Sequence, residues 1–333
     1  MWAQNQDQPV QQQYQPQQPT QLQQPTQSYQ QYKLPEIIPQ YYVSGAWVDM
    51  GSYYLTKSVI GKKEKLGGYQ HRLTASMVGA ACGHGHQHET PIDVAFDITG
   101  IKKKTFTKRD LERMGKGNTF EPMIRDWYQK QYQVTVNVVG LAVPKWEFQL
   151  GAATDGEVGT DGIIEIKSPE IMYASLVKHN ELLKGNVLGT SSTSNLAPSS
   201  ISNYSDPLYH EHINPSHYDQ MQLGMRITNR PWCDYIVYAN TNGTTYVTRV
   251  HFNQLYWDNV LWPDMRHFLD QILNPLIKEI ERRRSNAGIT DVKISNLRTT
   301  DIKMSDVFTE KEQIYIKEYW KSFKCVPYYK PYY

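Results

Sequence analysis

Apolar positions recur at helical intervals near the middle of the chain. Phe120, Met123, Ile124 and Trp127 share one face of a helix over 118–131, and Asn118 stands where a cap belongs. Residues 72–82 (RLTASMVGAAC) read as another helix, with Thr74 or Ser76 as its cap. The pattern then turns β-like. VTVNVVG over 134–140 is rich in β-branched residues, and Leu150 to Ala153 and Gly162 to Lys167 bracket the turn DGEVGTDG, which predicts a hairpin. A helix follows over 216–229. Two strands, Cys233 to Tyr238 and Thr245 to His251, meet through Asn242-Gly243, and 263–284 reads as an amphipathic helix bent at Pro275. This order predicts an α/β fold over 33–285, a central mixed β-sheet flanked by helices.

Three stretches depart from that pattern. Residues 1–32 hold 15 Gln, several Pro and no Lys or Arg, too few apolar groups to offset the entropy of ordering. They read as a disordered Gln/Pro-rich arm. Residues 186–206 are rich in Ser, Thr and Asn and read as a flexible loop insertion. Residues 286–333 form a C-terminal extension ending in YYKPYY, a docking peptide or a frayed end. The arm also lowers the hydrophobic fraction to 39%.

Lys plus Arg number 35 and Asp plus Glu 33, a net charge of +2, so bulk charge gives no argument for nucleic-acid binding. Three scattered cysteines argue against a disulfide framework and cannot supply a four-thiolate site alone, which points to a reducing intracellular compartment. No apolar run of about 18 residues suggests a transmembrane helix, and no basic-then-apolar start suggests a secretory signal.

The chemistry concentrates in Asp155-Gly156 and Glu165-Ile166-Lys167. Residues i and i+2 of a strand share a face, so Glu165 and Lys167 project together from GIIEIK, and Asp155 can join them across the hairpin. Two carboxylates beside a lysine make a hard-oxygen site suited to Mg2+ and phosphate oxygens. An E-x-K pair alone is usually an ordinary surface pair. Here it sits among Ile163, Ile164 and Ile166, and Asp155 precedes Glu165 by ten residues across a glycine-rich turn.

The ordered series Arg72-Leu73-Thr74-Ala75-Ser76, Gly117…Glu121…Arg125, Gly151-Ala152-Ala153-Thr154-Asp155-Gly156, Glu165-Ile166-Lys167-Ser168-Pro169 and Gln220-Met221-Gln222…Met225…Thr228 resembles the PD-(D/E)XK nuclease superfamily. Within it, the series is most similar to the viral recombinase branch with phage lambda exonuclease and the YqaJ-like proteins. The resemblance runs from about Arg72 to about Tyr256. It implies a restriction-endonuclease-like core and a Mg2+-dependent DNA exonuclease, with Mn2+ as the alternative metal, acting 5′→3′ on double-stranded DNA ends in viral recombination or end processing. It implies Asp155, Glu165 and the Ile166 carbonyl as metal ligands, with Glu121 directly or through water. Lys167 would position or activate the water, Gln220 would orient Lys167 or substrate, and Arg72 with Ser76 would take the 5′-phosphate. It further implies a homo-oligomeric ring and a single-strand annealing protein as partner, inside a host cell. The sequence departs from the family pattern in Thr154 before the Asp, in the long gap from Glu165 to Gln220, and in its arm and extension.

Rival readings are a structure-specific or Cas4-like endonuclease, and a non-catalytic DNA-end-binding protein. The Cas4-like form needs four thiolates. His84, His86, His88 and Glu89 could bind zinc or nickel, but read as a solvated loop, with a phosphate-contact role next. The basic clusters Lys62-Lys63-Lys65, Lys102-Lys103-Lys104, Lys108-Arg109 and Arg282-Arg283-Arg284 read as solvated faces, or as the lining of a phosphate-tracking channel.

Overall fold

The computed structural model describes residues 47–56, 72–84, 89–102, 105–169, 199–201, 213–239, 242–286 and 302–324. The arm of 1–32, His86, His88, Cys325, the terminal YYKPYY and most of 186–206 lie outside them.

Strands β1 (Trp47–Asp49) and β2 (Tyr53–Thr56) pair antiparallel, and β3 (Leu73–Thr74) leads straight into helix α1 (Ala75–Ala81). Helix α2 (Pro91–Thr99) follows, then α3 (Lys108–Tyr132), β4 (Val136–Asn137), β5 (Ala142–Pro144) and β6 (Leu150–Gly151). The hairpin is β7 (Gly156–Val158) and β8 (Gly162–Lys167). Next come β9 (Ser199–Ile201), α4 (Pro215–Thr228), β10 (Trp232–Tyr238) and β11 (Thr245–His251). The main sheet runs β4-β7-β8-β10-β11-β9. Only its β8–β10 and β9–β11 pairings are parallel, so the sheet is mixed, as the order of elements predicts.

The two faces of that sheet bury different things. Ile163, Cys233, Tyr235 and Val237 join the larger core with Met221, Leu223 and Met225 of α4. Ile164, Ile236 and Val247 meet Ile124 and Tyr128 of α3 on the other side. Each such buried aliphatic chain is worth about 1.5–3 kcal/mol. Close approach needs two glycines. A Cβ on Gly162 would stand 2.0–2.3 Å from the Trp232 ring, and one on Gly79 of α1 would meet Ser216 of α4 at 2.5 Å.

Several boundaries differ from the sequence reading. Helix α3 begins at Lys108, ten residues before Asn118, because Thr107 and Asp110 form a reciprocal capping box. Asn118 and Pro122 therefore lie inside the helix. Thr74 takes the N-cap position of α1 but makes no side-chain cap bond. Leu150 and Gly151 pair with β3 rather than with the hairpin, whose first arm starts at Gly156. Within 186–206, residues Ser199–Ile201 pair with β11 as an edge strand. The last long helix starts earlier than 263. It runs through α5 (Gln254–Tyr256), a π-helical turn (Trp257–Leu261), α6 (Trp262–Phe268), a second π-helical turn (Leu269–Leu273) and α7 (Asn274–Asn286). Pro275 lies inside this continuous run, directly after the second π-helical turn, where the regular hydrogen-bond ladder is already interrupted. Beyond 286, a short turn at Met304–Asp306 and helix α8 (Glu310–Lys324) follow. Ile302, Phe308 and Ile316 of this stretch are buried in the same core as Leu276 and Ile280.

Candidate functional site

Strand β8 carries the cluster. Glu165 is 5% exposed, and its Oε1 lies 2.7 Å from Lys167 Nζ on the same face. Lys167 Nζ also donates to Gln220 Oε1 at 3.0 Å. Gln220 reaches the strand because α4 packs closely there: a Cβ on Gly224, one turn on, would already be 3.1 Å from Ile163. Asp155 stands just ahead of β7. Its N–H donates to the Ile164 carbonyl at 3.3 Å, and its Oδ2 accepts from the Ile166 N–H at 2.6 Å. The peptide between Glu165 and Lys167 thus holds the Asp155 carboxylate.

Glu121 joins from the other side of the sheet. The Arg125 guanidinium bonds Glu121 through Nη2 and donates from Nε to the Asp155 carbonyl at 2.9 Å. This arginine links α3 to the acid pair. Glu121 and Arg125 are four residues apart on one helical face, which is the signal that marks them as partners.

The electrostatics follow from crowding. Burial pushes the Asp155 carboxyl well above its ordinary value, and the charges of Glu165 and Glu121 push it further. The Ile166 N–H and Lys167 oppose the shift. Cys233, beside them on β10, has its thiol raised by burial and then by the acids Glu165, Asp234 and Asp155. Like-charged carboxylates at close quarters are a donor set that a hard divalent cation would relieve, and oxygen ligands suit Mg2+. Among the described residues, no three His, Cys, Asp or Glu side chains are already gathered as a complete metal site.

Arg72 and Ser76 lie on a different element. Leu73 donates to the Gln149 carbonyl at 2.8 Å, and β3 pairs parallel with β6, four residues ahead of Asp155. Arg72 is 7% exposed, and burial draws its guanidinium down to about 10, still protonated at neutral pH. Ser76 is exposed, its Oγ 3.3 Å from Thr74 Oγ1.

Two features escaped the sequence reading. His217 Nδ1, on the first turn of α4, lies 2.8 Å from the Tyr235 hydroxyl, and Tyr235 is the register partner of Glu165. His84 does not belong to a solvated loop. It is partly buried, with its ring between Asp219 and Asp264. Neither acid is near it in sequence, so spacing gave no hint.

The α/β fold thus brings two acids and a lysine together, Glu165 and Lys167 on β8 and Asp155 just ahead of β7. Residues 67–230 match the family model described as a YqaJ-like viral recombinase domain. Among solved structures, the chain is similar to an alkaline exonuclease, LHK-Exo, from Laribacter hongkongensis. The identity is 22% and the TM-score 0.46, over 66% of this chain and 96% of that one. For LHK-Exo in complex with dAMP, the values are 21%, 0.47, 66% and 96%. No curated protein matches the chain by sequence. No described helix is long and apolar enough to cross a membrane.

Proposed function

We propose that the protein is a Mg2+-dependent deoxyribonuclease that digests duplex DNA from its ends, 5′→3′, with Mn2+ as an alternative metal. The observation that carries this is the linkage of four side chains around one strand: Asp155 to the Ile166 amide, and Lys167 to both Glu165 and Gln220. The match of residues 67–230 to the YqaJ-like viral recombinase family model supports it.

Asp155, Glu165 and the Ile166 carbonyl would hold the ion, with Glu121 beside them. When bound, the ion stabilises charge on the scissile phosphate and acidifies a water. The chain's own groups do the rest. Lys167 offers a fixed N–H donor to the attacking water or a phosphate oxygen. Gln220 fixes the direction of that ammonium, since a side-chain amide can accept from it at one end only. Arg125 sets the distance of Glu121 from Asp155. Arg72, with its forked donors, suits a terminal 5′-phosphate, with Ser76 at the same helix start. A ring of subunits around DNA, an annealing protein that takes the remaining strand, and an intracellular setting belong to the same reading and rest on the family resemblance alone.

The direct experiment compares end-labelled linear duplex with closed circular DNA, with Mg2+ and with a chelator. An exonuclease consumes the linear DNA only, and only with metal. Cutting of the closed circle would favour the endonuclease of the same fold. DNA binding without hydrolysis under any metal would favour the non-catalytic reading.

A further inference from the structure

We infer that His84 is a positioning residue, which fixes the strand–helix unit carrying Arg72 and Ser76 against the helix carrying Gln220. It thereby sets how far a bound DNA end lies from the bond that is cut. This rests on the exonuclease reading above.

The geometry begins with the end of α1. Gly83 adopts φ +79°, a left-handed conformation that favours glycine, and the His84 N–H then donates to the Gly79 carbonyl at 2.7 Å. This turn folds the imidazole back toward its neighbours. Nδ1 lies 2.9 Å from Asp219 Oδ2 on α4, and Nε2 lies 3.2 Å from Asp264 Oδ2 on α6. A ring whose two nitrogens both face carboxylates donates from both and carries a positive charge. The two acids raise the imidazole to about 10, against the opposing effect of burial. The second oxygen of Asp219 accepts from the Tyr256 hydroxyl at 2.5 Å, so that acid is held from both sides. The Cys82 thiol faces the same group and stays protonated, raised by burial and by Asp264 and Asp219.

Asp219 immediately precedes Gln220, and Arg72 enters β3, which continues directly into α1. Helix α1 packs on α4 through Ala75, Val78 and Ala81, with Gly79 closest to Ser216, and the bond from His84 to Asp219 ties the end of α1 to the same helix. The apolar packing of α1 on α4 is not directional along the helix axes, and the His84–Asp219 bond adds a directional polar contact that fixes how one helix is set against the other. An exonuclease that grips a terminal phosphate and cuts a set distance away needs that placement, since misplacement by about 1 Å can cost on the order of 100-fold in rate.

The test measures hydrolysis of linear duplex with 5′-phosphoryl and 5′-hydroxyl ends by the unmutated protein and by His84→Gln. The ratio of kcat/KM between the two ends should fall about tenfold, chiefly through KM for the phosphorylated end. Asp264→Asn, which leaves the Asp219 bond, should shift it less in the same direction. Equal losses on both ends would mark a merely structural role and overturn the inference. No end preference in the unmutated protein would overturn it too, while leaving the nuclease reading intact. Hydrogen exchange supplies a readout independent of activity. In His84→Gln, amides of 75–81 should exchange faster while those of β10 and β11 keep their protection. Unchanged protection of 75–81 would overturn the inference even if the protein cut no DNA at all.

Discussion

The Ile166 N–H donates to the Asp155 carboxylate at 2.6 Å, so the acid ahead of the hairpin is bonded to the peptide that separates Glu165 from Lys167. One hydrogen bond therefore sets the mutual position of three side chains. The strand's pleat sends Glu165 and Lys167 to one face, and its amide draws Asp155 to the same place.

Lys167→Ala removes the cation that contacts both Glu165 and Gln220. Release of nucleotides from end-labelled linear duplex should fall by about 100-fold or more in kcat, with the protein still folded by circular dichroism. Activity within about twofold of the unmutated protein would rule out the role assigned to Lys167.

Asp155 is a raised acid among acids, so its ionised form works against the fold. A folded-state value above the unfolded one means that stability falls as pH rises from the ordinary aspartate range toward that raised value. Without metal, Asp155→Asn should melt about 2 °C higher than the unmutated protein at pH near 8. Added Mg2+ should raise the melting temperature of the unmutated protein and leave that of the variant nearly unchanged. A variant that melts lower without metal would contradict the repulsion.

Arg125→Gln frees Glu121 and the Asp155 carbonyl from a shared donor. The Mg2+ concentration for half-maximal hydrolysis should rise about tenfold, in the range seen when a ligand loses its supporting hydrogen bond. A fall in kcat at unchanged Mg2+ dependence would place Arg125 outside the metal-holding arrangement.

His84 titrates in the opposite sense to Asp155. Its folded-state value is raised from 6.5 to about 10 by Asp219 and Asp264. The contribution is fully present below the unfolded value and is lost as pH rises through the folded one. Urea denaturation should show the gap between the unmutated protein and His84→Gln widest near pH 6 and closing toward about pH 10. A gap that grows with pH would reverse the assigned charge.

Gly162→Ala places a methyl group 2.0–2.3 Å from the Trp232 ring, which also carries the Arg249 guanidinium at 3.7 Å on its face. The ring has little room to yield. The urea midpoint should drop by the equivalent of about 1–3 kcal/mol. An unchanged midpoint would show that the ring shifts freely.

What the sequence made legible was the part written in local pattern. The alternation in GIIEIK and the glycine-rich turn announced the hairpin, and the apolar rows of 216–229 announced α4. The first turns of α3 were hidden because KRDLERMGKGN has no apolar stripe, although Thr107 and Asp110 already spelled a capping box. Leu150 and Gly151 were misplaced because a two-residue strand carries no period, and its partner β3 lies far back in the chain. Asp155, Glu165, Lys167 and Gln220 stand out in the sequence, and the structure brings them together around β8. Arg125 was seen only as part of a series. His84 was misread because both its partners come from distant helices, and a His-rich run resembles a surface loop when only neighbours in sequence are considered.

The hairpin is clamped at both ends. At its open end Ile166 holds Asp155, and near its turn Arg230 donates from Nη1 to the Gly159 and Gly162 carbonyls at 2.9 and 3.1 Å, and from Nη2 to Glu157 Oε2 at 2.6 Å. Thr160 and Asp161, between the anchored carbonyls, are exposed. The tip is thereby insulated from the ladder below it, and a reporter peptide or dye grafted between Thr160 and Asp161 would ride on the molecule without moving the acids that the ladder aligns.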